Sequence, residues 1–304
     1  MTRSAGEGTV LHVIVPQREG AIGGADLHVL DLAVAQQHDR GWQPVILAPR
    51  APQSYLDRLD KAGLRIADAR TFSGLKSVIT KHGVSLVHAH GYEANYLVAA
   101  MRMAFRSWGR LPVVVTAHGW IETTPWLRFK SAMDRVCSRT ADVRIATAAA
   151  HVAGLRFGRG AAVVIHNGVP TPDFQRLARL RADREGALSR FSLGPGSAVV
   201  GFAGRLSPEK RGDLFLSAAR RLSPLRPNTH FMVIGGGEQR AELEALASRL
   251  GIQDRVTFTG LLNDMTPAYA ALDVLVQPSD TEGTPRTILE AMAHRVPVVA
   301  TDVG

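Results

Sequence analysis

Short runs of aliphatic and β-branched residues alternate along this chain with longer stretches of helical periodicity. In the first half, the short runs occupy residues 11–15, 44–48, 84–88, 113–116, 143–147 and 162–165. Helical stretches separate most of them, such as residues 27–38, where Leu27, Leu30 and Val34 share one face. This alternation is typical of βαβ units, whose strands run parallel. The chain is therefore predicted to be an α/β protein built on doubly wound parallel sheets.

The pattern breaks and restarts near the middle of the chain. Residues 176–190 are polar and rich in arginine, and a Gly-Pro-Gly turn follows at Gly194. Further strands are predicted at residues 198–202, 230–234, 256–259, 274–277 and 298–301. We predict two Rossmann-like domains, residues 1–190 and 191–304, facing a cleft where the carboxyl ends of the strands would bind ligand. Because Gly304 directly follows a fifth strand, we expect the second domain to be incomplete and the chain to be a fragment.

Composition excludes several classes of protein. The 304 residues are 45% hydrophobic, which is enough for two domains with cores of their own. No apolar stretch approaches the roughly 20 residues that span a bilayer. Cys137 is the single cysteine, so an internal disulfide and a cysteine-rich metal site are excluded. A cytoplasmic location fits these features.

The positive charge lies in the first half of the chain. Residues 1–190 contain 25 Lys and Arg against 15 Asp and Glu, a net of +10, whereas residues 191–304 contain 11 against 12, a net of −1. Such asymmetry indicates an anionic partner. Residues 126–139 mix aromatic and basic side chains and are interpreted either as a helix touching anionic lipid or as an ordinary amphipathic helix. Nucleic acid is not favoured, because no groove-reading motif is recognisable.

The segment 279–290 combines two glutamates with a predicted helix start. Glu282 lies in a polar loop, Thr284 is suited to the cap position and Pro285 to the first helical position. Free N–H groups at Arg286 and Thr287 would then favour an anion. Glu290 would follow about one and a half turns into the helix. The segment thus offers carboxylates for hydroxyl groups and a helix terminus for phosphate, although a routine cap with two solvated acids is the alternative.

Three glycine-containing loops follow predicted strands. In the loop after the strand at 198–202, Gly204 precedes Arg205 and Lys210, whose charges could neutralise a diphosphate. Gly235-Gly236-Gly237 precedes a helix and suits a tight turn. The first loop, with Gly20, Gly23 and Gly24, does not match the dinucleotide pattern, and no acidic residue closes the next strand. A nicotinamide or flavin cofactor is therefore not expected.

Histidines end two predicted strands of the first half. His88 and His90 would share one face of a strand, which raises the possibility of zinc, but no third ligand of fitting spacing lies nearby in the sequence. His118 precedes Gly119 and is interpreted as a substrate contact, or alternatively as a satisfied core histidine. The chain has no Asp-x-Asp pair of the kind that holds a metal diphosphate. No metal site is predicted.

Taken together, these motifs resemble the retaining glycosyltransferases of the GT-B fold, of the large group 1 and family 4 type. The resemblance covers nearly the whole chain and rests on the order and spacing of Gly23-Gly24, residues 87–90, 116–119 and 167–169, Gly204-Arg205 with Lys210, residues 235–237 and 256–260, and Glu282 with Glu290. Two departures stand out. Gly-Thr-Pro-Arg follows Glu282 where many relatives have Gly-Phe-Gly and an apolar residue. The family's second domain also continues beyond the position of Gly304.

The resemblance implies a role for each matching residue. Arg205 and Lys210 would bind the donor diphosphate, and His118 would meet the sugar. Glu282 would hold sugar hydroxyls and Glu290 the ribose. Further donor contacts would come from Gly23, Gly24, Gly204, Leu261, Leu262, Gly283, Thr284, Thr287 and Ile288, with the two leucines beside the base.

The predicted function is sugar transfer from a nucleotide-diphosphate sugar to an acceptor hydroxyl, with retention of configuration and without a metal or other cofactor. The acceptor would be a carbohydrate or a lipid-linked molecule, with the basic first domain touching the inner face of a membrane. The alternative is a non-catalytic protein that binds a nucleotide sugar or a partner without turnover. The base, the sugar and the acceptor are not specified by the sequence.

Overall fold

The computed structural model describes residues 8–16, 22–39, 41–69, 71–104, 111–120, 122, 124–156, 158 and 160–303. The chain forms two compact units, the first ending at Asn167 and the second beginning at Gly168. Each unit has its own parallel sheet, as the alternation of strand and helix patterns predicted. No helix among the described residues is both long enough and apolar enough to cross a bilayer.

The first unit is built on a seven-stranded sheet in the order β3-β2-β1-β4-β5-β6-β7. Its strands are β1 (Gly8–Ile14), β2 (Trp42–Leu47), β3 (Arg65–Ala67), β4 (Val84–His90), β5 (Val113–Ala117), β6 (Val143–Ala146) and β7 (Ala161–Val164). Every neighbouring pair is parallel. The chain winds outward from β1 in one direction and from β4 in the other, so the crevice between these two strands is the topological switch point.

Among the described residues of this unit, six helices cover the sheet: α1 (Gly24–His38), α2 (Gln53–Lys61), α3 (Phe72–His82), α4 (Tyr92–Ala104), α5 (Pro125–Ser138) and α6 (Ala149–Val152). Alternate residues of the central strands fill two separate cores. Leu11 and Val45 pack in one core with residues of α3 and α4, while Ile14 and Ile46 pack in the other with residues of α1 and α2. Because both faces are covered, the strands read as nearly continuous apolar runs.

The second unit has a five-stranded parallel sheet in the order β10-β9-β8-β11-β12. Its strands are β8 (Ala198–Ala203), β9 (Thr229–Ile234), β10 (Val256–Gly260), β11 (Val274–Gln277) and β12 (Val298–Ala300). Its helices are α7 (Phe174–Ala182), α8 (Arg184–Ser189), α9 (Gly212–Leu222), α10 (Arg240–Arg249), α11 (Thr266–Ala271) and α12 (Arg286–Ala293). The switch point here lies between β8 and β11.

The division between the units differs from the boundary expected after residue 190. Helices α7 and α8 belong to the second unit, where Ala187 and Leu188 are buried in the core. Arg181 donates to the carbonyl of His294 at 2.8 Å, and Arg184 pairs with Asp273 at 2.7 Å. The arginine-rich passage therefore belongs to the second unit, because its charges anchor two helices to the second sheet.

One strand escaped the sequence analysis. Strand β3 has only three residues, Arg65, Ile66 and Ala67, and the first two are exposed at the edge of the sheet. It lacks the buried apolar run by which the other strands were recognised. The predicted glycine loop at Gly20 lies outside the described residues.

Candidate active site

Most of the predicted donor-site residues lie at the carboxyl edge of the second sheet. The loop after β8 carries Gly204, Arg205 and Lys210, and the loop after the neighbouring strand β11 carries Glu282. Adjacent parallel strands bring the loops at their carboxyl ends to one edge of the sheet, and these two strands flank the switch point. Residues more than 70 positions apart in the sequence therefore meet here.

Two glycines fix the course of the loop that carries Arg205. Gly235 has a positive φ of 135°, and a Cβ atom there would lie 1.9 Å from the carbonyl oxygen of Gly204. Gly237 has a φ of 157°, and its Cβ would lie 2.4 Å from the carbonyl oxygen of Leu206. The Leu206 amide also donates to the Gly236 carbonyl at 2.9 Å. The loop after β9 thus supports the loop after β8 through backbone contacts that a side chain would block.

Lys210 and Glu282 form an ion pair at this edge. The ammonium lies 2.5 Å from Oε1 of Glu282, whose side chain is 9% exposed. The same carboxylate oxygen accepts from the Ser279 hydroxyl at 2.7 Å and from Nε2 of Gln277 at 3.3 Å. Both neutral donors come from the end of β11 and the loop after it, so the sheet itself holds the carboxylate in place.

Arg205 is half-buried in the loop directly after Gly204. Leu261, which follows β10, is exposed, and its Cγ lies 3.3 Å from where a Cβ of Gly236 would be. Leu262 instead packs against the core. Leu261 therefore covers the glycine loop and offers an apolar surface beside it.

Helix α12 begins one residue later than the sequence indicated. Pro285 is the N-cap residue, with an extended backbone and without a side-chain cap, so Thr284 is not the cap. The ψ of Pro285 is 120°, which lies outside the helical range, so the first helical residue is Arg286. Arg286, Thr287 and Ile288 form the first turn, whose N–H groups have no partner within the helix. Gly283 and Thr284 lie in the loop that leads into it.

Glu290 is held inside the second unit by two neighbours. Arg286 donates to its Oε1 at 3.2 Å, and the Tyr269 hydroxyl donates to its Oε2 at 3.0 Å. Burial, reinforced by the Glu290 charge, raises the pKa of Tyr269. The arginine that the sequence singled out as an unusual charge is thus paired with Glu290 one helical turn away. Tyr269, Gln277 and Ser279 were missed, although Gln277 ends a predicted strand and could have been found there.

In the first unit, Gly23 and Gly24 start helix α1. Gly23 is the N-cap, and its amide donates to Oδ2 of Asp26 at 2.7 Å. The helix therefore opens at the carboxyl edge of the sheet, next to the switch point between β1 and β4.

Five histidines gather at that edge. His12 on β1 lies directly opposite His88 on β4, and His90 follows two residues later on the same face. His118 comes just after β5, and His28 lies in α1. Their ring centroids form a continuous chain of contacts between 4.0 and 5.7 Å. Sequence analysis found no third ligand of fitting spacing near His88 and His90, but the strands beside β4 supply His12 and His118, and helix α1 supplies His28.

Burial disfavours the charged form of four of these imidazoles, those of His12, His88, His90 and His118. It lowers the pKa of His12 to about 4 and that of His118 to about 3. Burial, aided by the neighbouring histidines, holds the pKa of His88 and His90 well below the ordinary value. Among the described residues, two trios have donor nitrogens within 4.8 Å of one another, namely His12, His88 and His90, and His28, His90 and His118.

Two parallel-sheet α/β domains, the second with the smaller sheet, are the architecture of the GT-B fold. Structures with this fold include HepE of Anabaena, solved in complex with UDP and glucose. It superposes with a TM-score of 0.78 at 22% sequence identity, covering 98% of this chain and 82% of that one.

Family models identify the family. The model described as Glycosyltransferase Family 4 matches residues 22–172, and the model described as Glycosyl transferases group 1 matches residues 197–304. The chain belongs to this family of glycosyltransferases.

Two curated relatives illustrate the similarity. The chain is 34% identical over 200 residues to the lipopolysaccharide core biosynthesis mannosyltransferase LpsB of Rhizobium meliloti (strain 1021), covering 64% of this chain and 53% of that protein. It is also 34% identical over 197 residues to the 2-deoxystreptamine glucosyltransferase of Streptomyces kanamyceticus, covering 64% and 47%. The match spans about half the length of these relatives.

Proposed function

We propose that this chain transfers a sugar from a nucleoside diphosphate sugar to an acceptor hydroxyl, with retention of configuration, and that its second unit binds the donor. The observation that carries the proposal is the Lys210–Glu282 pair at the switch point of the second sheet. There an ammonium and a carboxylate meet beside the Arg205 loop and the start of α12. Relatives of the chain transfer sugars, and HepE binds UDP and glucose, which supports the same chemistry here.

Each group at this edge suits one part of such a donor. Lys210 has three N–H groups and uses only some of them on Glu282, so it can also meet a phosphate oxygen. Arg205 adds a planar fork of donors for the diphosphate. The carboxylates of Glu282 and Glu290 would accept hydrogen bonds from sugar and ribose hydroxyls, and Leu261 would lie beside the base.

Metal-independent transfer rests on the same groups. Negative charge develops on the departing nucleoside diphosphate, and fixed positive charge placed there lowers the barrier to its departure. Arg205, Lys210 and the N–H groups at the start of α12 would supply that charge. Retention requires the acceptor hydroxyl to approach from the face that the diphosphate leaves.

The test begins by finding the donor and then removes Arg205. UDP-glucose, GDP-mannose and ADP-glucose are screened for the largest thermal stabilisation, because a ligand that binds the folded state raises its stability. Arg205→Ala should then lower kcat/KM about 10- to 150-fold, which corresponds to the loss of about 1.5–3 kcal/mol of charged hydrogen bonding. Arg249→Ala, which removes an exposed arginine of α10, is the matched control.

Two outcomes contradict the proposal. Transfer by Arg205→Ala at the parent's rate would remove Arg205 from the mechanism. Calorimetric binding of a donor without any transfer or hydrolysis would instead favour a non-catalytic sugar-nucleotide binder.

We further propose that helix α5 places the first unit on an anionic membrane surface, where a lipid-linked acceptor would be met. The polar face of this helix points inward and its apolar face points to solvent, which is the reverse of an ordinary surface helix. Its inward face carries Ser131, Asp134 and Ser138, which are buried, and Asp134 accepts from Trp120 at 2.9 Å and Asn95 at 2.7 Å. Its outward face carries large apolar side chains that are 39–65% exposed, namely Trp126, Phe129, Met133 and Val136.

Basic residues accompany this outward stripe. Arg128 and Arg139 are exposed on the same segment, while Lys130 and Arg135 form ion pairs with Glu93 and Glu122. Apolar side chains with basic neighbours are typical of a helix that lies in the interface of an anionic bilayer.

Sedimentation with vesicles tests this contact. The parent should bind vesicles of phosphatidylglycerol and phosphatidylcholine but not of phosphatidylcholine alone. Trp126→Ser combined with Phe129→Ser should abolish that binding, whereas Leu225→Ser, which removes an even more exposed apolar side chain from the second unit, should not. Equal binding by the double variant would exclude this helix as the membrane contact.

A further inference from the structure

The histidine cluster of the first unit contains two buried ring nitrogens that make no hydrogen bond. They are Nδ1 of His90 and Nε2 of His118. A buried polar atom without a hydrogen bond is unfavourable, because it has given up its contact with water. The position of these two atoms therefore calls for an explanation that packing alone does not supply.

The hydrogen bonds around His12 engage the other ring nitrogen of His90. The carboxamide oxygen of Gln36 lies 2.7 Å from Nε2 of His12 and can only accept, so His12 carries a proton on Nε2. Nδ1 of His12 lies 3.1 Å from Nε2 of His90. Nδ1 is therefore the nitrogen of His90 that remains for a ligand.

We propose that His28, His90 and His118 form a binding site for a divalent transition metal ion of the zinc class. Their donor nitrogens lie within 4.8 Å of one another. The ring centroids of His28 and His118 are 4.9 Å apart, and each lies 5.7 Å from that of His90. Three imidazoles that bind one ion with nitrogen–zinc distances of about 2.0–2.1 Å have their ring centres about 5 Å apart, so small ring rotations suffice.

The other trio, His12, His88 and His90, is a poorer site. Both nitrogens of His12 are already engaged by Gln36 and His90, and Nε2 of His88 lies 2.7 Å from the Thr116 hydroxyl. The rings of His88 and His90 are only 4.0 Å apart, which is closer than two ligands of one tetrahedral ion.

The surroundings of the first trio suit an ion. Gln36 and His12 orient His90 through its second nitrogen, as the outer hydrogen bonds of metal-binding histidines usually do. His28 and His118 are only half-buried, so an ion can enter from the edge of the sheet, and water can complete a tetrahedral site.

Cobalt(II) titration of the full-length chain, freed of metal with a chelator, tests the site. One equivalent should produce the visible absorption of tetrahedral cobalt, and zinc should displace it. His28→Gln and His118→Gln should each weaken binding at least tenfold. His38→Gln, which changes an exposed histidine of the same helix, should leave the affinity unchanged. Circular dichroism without metal confirms that each variant is folded, and His28→Gln keeps the test available if His118→Gln impairs folding.

Three results would overturn the proposal. The first is that no visible absorption develops in the parent. The second is that His28→Gln binds cobalt as tightly as the parent. The third is that His88→Gln abolishes binding while His28→Gln does not, which would place the ion on the other trio. Each readout is metal binding itself, so the outcome does not depend on sugar transfer.

Discussion

At the scale of single residues, each of the two glutamates at the candidate donor site is paired with a basic side chain. Glu282 is almost completely buried, and its Oε1 receives an ammonium, a hydroxyl and an amide from three different residues. Glu290 is similarly shared between Arg286 and Tyr269. A buried charge is costly unless it is paired and hydrogen-bonded, so these partners offset the cost of removing the two carboxylates from water.

Lys210→Met should destabilise the protein because it leaves Glu282 without its ammonium. Removing one partner of a buried pair costs about 3–5 kcal/mol, and the 21% exposure of the Lys210 side chain reduces this to about 1–3 kcal/mol. Glu282→Gln added to Lys210→Met should recover part of the loss, because the uncompensated charge is gone. Urea unfolding of the two single variants and the double variant measures this coupling.

One result of this double-mutant cycle would contradict the pairing of Lys210 with Glu282. If the two substitutions are additive within about 0.5 kcal/mol, Lys210 and Glu282 do not interact in solution.

At the scale of elements, the loops at the strand ends depend on each other more than on their own sequences. The loop that carries Arg205 is supported by the loop after β9, where Gly235 and Gly237 allow backbone to lie against backbone. The sequence indicated a tight turn at these glycines but not the loop that they approach. Likewise, the helical pattern predicted α12, but the N-cap is Pro285 and not Thr284, because the backbone of Pro285 is extended.

Gly235→Ala should disturb the Arg205 loop. The new methyl group would lie 1.9 Å from the Gly204 carbonyl oxygen, so one of the two loops must move. We expect a fall of several degrees in the melting temperature and at least tenfold weaker donor binding. Gly194→Ala is the control, since its Cβ would meet only the Ser197 hydroxyl, at 3.7 Å. Thermal melting and calorimetry give both readouts, and equal behaviour of the two variants would contradict the proposed support.

At the scale of the whole molecule, the boundary between the units is set by packing. Helices α7 and α8 precede the second sheet in sequence yet bury Leu177, Ala187 and Leu188 in the second unit. Their arginines reach the carbonyl of His294 and the carboxylate of Asp273. The polar, arginine-rich passage that was assigned to the end of the first domain by its composition therefore packs as part of the second unit.

A pair of fragments tests this boundary. Residues 168–304 should unfold in one cooperative transition, because they keep α7 and α8 on the sheet. Residues 191–304 should unfold without a cooperative transition, since the core would lose Ala187 and Leu188. Urea titration followed by circular dichroism distinguishes them, and equal cooperativity of the two fragments would favour the later boundary.

The sequence by itself determined the α/β class, eleven of the strands and the family, because periodicity and motif spacing are properties of neighbouring residues. It also located Arg205, Lys210, Glu282 and Glu290, whose roles in binding a donor stay predictions. Only the tertiary structure decided which of them touch, since Lys210 meets Glu282 through the pairing of β8 with β11. The same holds for the histidines: five residues spread over more than one hundred positions converge because β1, β4 and β5 lie side by side, and strand order is not written in any local stretch of the chain.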